Sequence, residues 1–175
     1  MPQSPEPGAL DPASPLVRLL DAPLRPGSVR WIGLRPGRHQ PLVPVTTADL
    51  DPETGLAGDQ YRSRANPARQ VTLIQTEHLA AIAGYVGLET IDPGRLRRNI
   101  VVSGINLLAL KGRKFRLGTA VLFCTGECHP CSRMEAILGT GGYNAVRGHG
   151  GVTARIVSAG QVRLADVIER DEGAG

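Results

Sequence analysis

Val152-Thr153-Ala154-Arg155-Ile156-Val157-Ser158-Ala159-Gly160-Gln161-Val162-Arg163-Leu164-Ala165-Asp166-Val167-Ile168 reads as two strands, 152–157 and 162–168. They are joined by the small-residue turn Ser158-Ala159-Gly160. β-Branched side chains recur through both runs, and such residues fit a pleated, half-buried surface. The same texture extends upstream. Val29, Trp31 and Ile32 begin a run that Arg35-Pro36-Gly37 ends, and Leu42, Val43 and Val45 form another. Val71, Leu73 and Ile74 make a third, and Asn99-Ile100-Val101-Val102 a fourth, ended by Ser103-Gly104. Short apolar runs at 107–110, 115–117 and 121–124 follow, separated by turn residues such as Lys111-Gly112-Arg113. Residues 51–59 read as a loop. Helical spacing is confined to Leu79, Ile82, Ala83 and Val86, with Thr76 as cap and Gly87 as stop, and to a short segment over 133–138. Many short strands, few helices and no regular βα alternation predict a mainly β barrel or sandwich. No internal repeat is evident.

The length of 175 residues fits one domain with its own core. Prolines crowd residues 1–27, which read as an extended arm; the domain proper is expected over 28–170, with a tail at 171–175. Aromatics are only 3% of the chain, so the core must be aliphatic. The formal charge is +4, carried almost wholly by arginine, since Lys111 and Lys114 are the only lysines. Few aromatics argue against single-stranded nucleic acid, which needs stacking faces. No helix-turn-helix or zinc-finger spacing is present, so no nucleic-acid partner is expected. The first residues lack the basic and apolar regions of a signal peptide, and no apolar run reaches the ~20 residues that span a bilayer. The expected setting is the cytoplasm, with no membrane partner.

Chemistry concentrates in Cys124-Thr125-Gly126-Glu127-Cys128-His129-Pro130-Cys131-Ser132-Arg133-Met134-Glu135. Three cysteines in one short segment are not a secreted disulfide framework. Ser132 and Glu135 have the spacing of a capping box, which puts Cys131 just ahead of a helix. A helix start and the nearby Arg133 both favour a thiolate, the form that nucleophilic sulfur and metal ligation require. Other readings stay open. All three cysteines can be buried hydrophobes, the plainest fate for Cys124 in its apolar run. A structural zinc site would use Cys124, Cys128 and Cys131 with His129 or His149. Cys128 and Cys131 also have the spacing of a dithiol redox pair, although no βαβ unit precedes them.

Seven segments follow one another along the chain. They begin with Gly55-Leu56-Ala57-Gly58-Asp59, Arg69-Gln70-Val71-Thr72-Leu73-Ile74 and Leu96-Arg97-Arg98-Asn99-Ile100-Val101-Val102-Ser103-Gly104. Gly118, the Cys128-to-Cys131 segment, Gly150-Gly151-Val152-Thr153-Ala154-Arg155 and the ending from Gly160 to Asp166 complete the set. Their order resembles the MOSC domain, named from the C-terminal domain of molybdenum-cofactor sulfurases. The resemblance spans about residues 28–168. It implies a twisted β-barrel of the pyruvate-kinase barrel type and a cysteine that carries sulfur as a persulfide or ligates molybdenum. Cys131 is the matching position. It further implies a pyranopterin molybdenum cofactor, with sulfur transfer or reduction of N-hydroxylated compounds as the chemistry. The chain is too short to add the pyridoxal-phosphate desulfurase domain of full sulfurases, so a separate cysteine desulfurase or electron donor would serve it. One departure stands out: Leu164-Ala165-Asp166 has alanine where the family often has glycine before the aspartate.

Within that resemblance, Arg97 and Arg98 are candidates to hold the pterin phosphate, with Asn99 fixing the loop. Arg69 is either an anion ligand or an ion-pair partner for Asp59. Gly58-Asp59 is expected to order a turn. The glycines of 139–151 read as a flexible loop, within which His149 is an acid–base candidate and possible cofactor contact; His39 and His78 read as surface residues. The alternative to a molybdenum-linked enzyme is a non-catalytic module that holds a pterin or another anion in the same basic pocket.

Overall fold

Seven strands close into a barrel in the computed structural model, which describes residues 11–61 and 67–173. They are β1 (Gly27–Leu34), β5 (Val71–Gln75), β6 (Ile100–Ser103), β7 (Lys114–Leu117), β8 (Ala120–Glu127), β9 (Val152–Ser158) and β11 (Val167–Arg170). Around the ring the order is β11, β7, β8, β9, β5, β6, β1, and β1 returns to β11 through Gly27 opposite Ile168 and Ser28 opposite Val167. β2 (Val43–Val45) hangs on the outside of β1. A separate three-stranded sheet joins β10 (Gly160–Arg163), β3 (Thr47–Asp51) and β4 (Gly55–Leu56).

The β5–β6 pair is parallel. A parallel pair needs a crossover, and α2 (Thr76–Tyr85) supplies it. This accounts for the pattern of both strands. Val71, Leu73, Ile100 and Val102 point into the barrel, whereas Ile74 and Val101 point outward into a second apolar cluster with Ile82, Leu96, Met134 and Val146. Strands covered on both faces read as unbroken hydrophobic runs rather than alternating ones. The barrel interior is aliphatic, with Phe115 its one fully buried aromatic. Each such buried side chain contributes roughly 1.5–3 kcal/mol against exposure. The outer cluster is roofed by α3 (Ser132–Leu138) and α4 (Gly142–Val146).

The structure departs from the sequence expectations in several places. Residues 15–20 of the proline-rich arm form a helix, α1 (Pro15–Leu20), with Ser14 as N-cap; residues 1–10 lie outside the described residues. Pro15 opens α1, where its missing N–H costs nothing. Asp21, just after it, bonds Arg113 and Arg170 and so fastens the arm to the barrel. Residues 47–51 are a strand, and the 51–59 loop contains β4. The run 162–168 is two strands in two different sheets; it breaks at Ala165, whose φ of 69° is left-handed. The glycine-rich stretch 139–151 holds α4. Gly142 is there because a Cβ would lie 2.6 Å from the Met134 carbonyl, so α3 and α4 meet through it. Thr76 is the first residue of α2 rather than its cap, which falls on Gln75. The capping box does not form: Cys131 is the N-cap of α3, and Glu135 instead accepts from the backbone N–H groups of Gly141 and Tyr143, capping α4. Among the described residues, no helix is long and apolar enough to cross a membrane.

Candidate functional site

At the end of the barrel where β1 finishes and β5 and β6 begin, the chain runs out of ladder partners and turns into polar side chains. Arg35 follows β1, Arg69 precedes β5, and Arg97, Arg98 and Asn99 precede β6. β8 ends at Glu127, and Cys128-His129-Pro130 leads to Cys131 at the start of α3. These segments enclose a cleft of about 240 Å³, walled by Arg35, Tyr61, Arg69, Thr72, Arg97, Arg98, Asn99, Cys128, Cys131 and Arg133. Cys131 is exposed there, Cys128 is buried, and Cys124 is fully buried in the barrel core. Burial pushes the Cys124 thiol up, so that sulfur is a packing group.

The arginines play different parts. Arg98 is 6% exposed, and its guanidinium is engaged by backbone: Nε donates to Gly150 O at 2.7 Å, Nη1 to Leu96 O at 2.7 Å and Nη2 to Cys128 O at 3.3 Å. The expectation that Arg98 grips a ligand phosphate with its fork is therefore corrected: it clasps the Cys128 segment to the 148–151 loop. Burial holds its guanidinium below the ordinary value. Arg97 is half-buried with a φ of 60°, a conformation that costs a non-glycine residue about 1–3 kcal/mol. Burial first, then the charges of Arg35 and Arg133, lower its basicity; Cys131 and Asp59 act the other way. Arg69 lies on the rim, its Nη2 3.9 Å from the Cys128 sulfur. It is not the ion-pair partner of Asp59. That partner is Arg35, at 3.8 Å.

Behind this wall lies Asp59, whose side chain is 1% exposed. Oδ1 accepts from the Arg35 backbone N–H at 2.8 Å and from Asn99 Nδ2 at 3.1 Å; Oδ2 accepts from the Tyr61 N–H at 3.0 Å. Asn99 is bonded to β5, since its Oδ1 accepts from Thr72 Oγ1 at 3.0 Å. Burial raises the Tyr61 phenol, against a smaller opposing effect of Arg69.

His149 is not part of the cleft. It sits against His78 and Tyr85 of α2, with ring centroids 5.0 and 5.4 Å away. His78 is accordingly part-buried rather than a free surface residue, and its Nδ1 is buried with no hydrogen-bond partner among the described residues. Among the described residues, no group of three or more His, Cys, Asp or Glu is placed to hold a metal, which leaves the zinc reading without a ligand set. Cys131, Arg69, Arg97, Arg98 and Asn99 thus come together as the sequence suggested, and His149 does not. The sequence reading missed Arg35, Tyr61 and Thr72. Arg35 was hidden inside the turn signal Arg35-Pro36-Gly37, although an arginine directly after a buried strand was a usable cue.

The profile of the MOSC domain matches residues 60–169 of this chain. No curated protein matches it. Among solved structures, the YuaD protein from Bacillus subtilis superimposes with a TM-score of 0.72 at 22% identity, covering 84% of this chain and 96% of that one. YiiM from Geobacillus stearothermophilus gives 0.68 at 14% identity, over 83% and 75% of the two chains. YiiM from Escherichia coli gives 0.63 at 17% identity, over 85% and 71%. At these identities the likeness is one of fold.

Proposed function

The chain belongs to the MOSC domain family, a family associated with the molybdenum cofactor, and from that membership we propose that the arginine cleft receives the phosphate-bearing pyranopterin of that cofactor beside a functional Cys131 thiol. The observation that carries this reading is the gathering of the exposed cysteine with Arg35, Arg69, Arg97 and Arg133 in one cleft, with no carboxylate among the described residues that line it. The residues fit such a group. Clustered guanidinium groups suit phosphate geometry. Arg35 Nε is buried with no acceptor among the described residues, and Arg97 is crowded by two like charges. Both conditions are relieved by an anion in the cleft.

When bound, the cofactor would supply redox and atom-transfer chemistry at molybdenum. The chain's own part is to bind and orient. Arg35, Arg97 and Arg133 would meet the anionic end, and Arg69 would stand at the rim. Arg98 would hold the Cys128-to-Cys131 segment in place through carbonyl bonds. The Cys131 sulfur would ligate the metal or carry a persulfide sulfur. Sulfur would come from a separate cysteine desulfurase, or electrons from a separate donor, for sulfur transfer or reduction of N-hydroxylated compounds.

The test is elemental and mass analysis of protein purified anaerobically from a molybdenum-replete host. Molybdenum near one atom per chain, lost in Cys131→Ser, supports the cofactor-ligand role. A sulfur adduct on Cys131 after incubation with a cysteine desulfurase supports the carrier role. If neither appears, and a phosphate-bearing ligand binds wild type and Cys131→Ser equally, the site is a non-catalytic anion module.

A further inference from the structure

A buried carboxylate bonded to three residues of an anion-binding cleft opposes the ligand by charge, so Asp59 needs a reason to be there. Ordering a local turn explains one contact only, the Tyr61 N–H two residues on. Its other partners are distant: the Arg35 N–H is 24 residues away and Asn99 Nδ2 is 40 residues away. The three partners enter from the end of β1, the loop after β4 and the approach to β6, and all three residues line the cleft. Asn99 extends the tether, because Thr72 Oγ1 donates to it and the Asn99 N–H donates back to Thr72 Oγ1 at 3.0 Å.

We infer that Asp59 is a positioning residue for anion recognition. One carboxylate sets Arg35, Tyr61 and the Asn99–Thr72 pair in a common wall, so that the cations around Cys131 are presented as a fixed set. The inference rests on the anion-binding reading of the cleft. Asp59 touches no ligand in this account; it acts through Arg35 and Asn99.

Replacement by asparagine separates charge from positioning, because the two effects have opposite signs. By charge alone, Asp59→Asn makes the cleft more positive and tightens anion binding. By positioning, the new NH₂ meets the N–H donors of Arg35 or Tyr61, a tether is lost, and binding weakens. Preordered donors bind better because less ordering cost remains at association.

The readout is the inorganic phosphate concentration that halves alkylation of Cys131 in the full chain at constant ionic strength. Phosphate is expected to slow alkylation of the wild type, and Asp59→Asn to need about tenfold more phosphate, a loss of about 1.4 kcal/mol. Asn99→Ala removes one tether without changing charge and should shift the midpoint the same way. A merely structural role would lower the melting temperature of both variants and leave the phosphate midpoint unmoved. An equal or lower midpoint in Asp59→Asn overturns the inference while the anion site stands. If Asp59→Asn does not fold, an unmoved midpoint in Asn99→Ala overturns it instead. No protection of the wild type overturns the anion reading and this inference together.

Discussion

Arg98 and Gly150 are joined across 52 residues of sequence by a 2.7 Å hydrogen bond from the guanidinium Nε to the glycine carbonyl. That bond, with those to Leu96 O and Cys128 O, ties the approach to β6 to both segments that bracket α3 and α4. Arg98→Ala would leave three carbonyls without their donor. At roughly 1–3 kcal/mol for a buried unsatisfied group, the variant should lose about 3 kcal/mol or more in urea unfolding. Arg98→Lys should recover only part of this, since an ammonium has no planar fork. Wild-type stability in Arg98→Ala would refute the clasp.

Gly151 and Gly148 offer a controlled pair. Both have positive φ, 81° and 77°. A Cβ at Gly151 would fall 1.9 Å from the Leu73 carbonyl, whereas a Cβ at Gly148 meets nothing within 4 Å. Each alanine variant should suffer the backbone penalty, of order 1 kcal/mol. Gly151→Ala should lose about 1–3 kcal/mol beyond that through steric conflict. Equal melting temperatures for the two variants would contradict the packing of the 148–151 loop on β5.

Ala165 has a φ of 69°, a left-handed conformation that suits glycine better than alanine. The residue is exposed, so no side-chain packing is lost by replacing it. Relief of left-handed strain, about 1–2 kcal/mol, is partly offset by the greater unfolded freedom of glycine, about 0.5–1 kcal/mol. Ala165→Gly should therefore be neutral to about 1 kcal/mol more stable in denaturant unfolding. A clear loss of stability would contradict the turn geometry.

Thiol reactivity should divide the cysteines by burial. Cys131 is exposed while Cys124 and Cys128 are buried. Native protein treated briefly with iodoacetamide should carry one adduct by mass, mapped to Cys131 and absent in Cys131→Ser. Three adducts should appear only after unfolding. Rapid double labelling of the native chain would place Cys128 in solvent.

His78 gives a pH dependence of defined sign. Burial chiefly, then the neighbouring His149 charge, lowers its basicity from the ordinary 6.5, against the opposing influence of Glu77 and the His149 backbone. The folded chain therefore binds fewer protons than the unfolded chain just below that pH. This contribution to stability is complete above 6.5 and is lost as pH falls through the lower folded-state value. Urea midpoints should drop on acidification from about pH 7.5 to 5.5, and His78→Gln should flatten the profile. An unchanged profile in His78→Gln would rule out this source.

The β character was legible because β5 and β6 are covered on both faces and so announce themselves as Val-Thr-Leu-Ile and Ile-Val-Val. Much of the cleft was legible too, since Arg97, Arg98, Asn99 and Cys131 lie in segments with recognisable order. What the sequence withheld depends on distant partners. Nothing local to Ala165 marks the point where one apparent strand passes from the small sheet to the barrel. Glu135 has the spacing to cap its own helix, yet the tight α3–α4 corner through Gly142 offers it the Gly141 and Tyr143 donors instead. His149 looked catalytic by residue type, and only the docking of its loop on α2 sends it to His78 and Tyr85. Arg35 acquires its role from Asp59, which no periodicity reveals.

Closure of the ring between β1 and β11 also dictates an order of assembly. β1 leaves the ribosome well before its partner, because Gly27 and Ser28 pair with Ile168 and Val167. Until that strand is synthesised, β7 and the Gly27–Ser28 end of β1 keep an unpaired edge on the open sheet. The nascent chain must therefore hold a nearly complete but unclosed sheet while it waits, the stage at which exposed edges invite wrong partners and at which a chaperone would act.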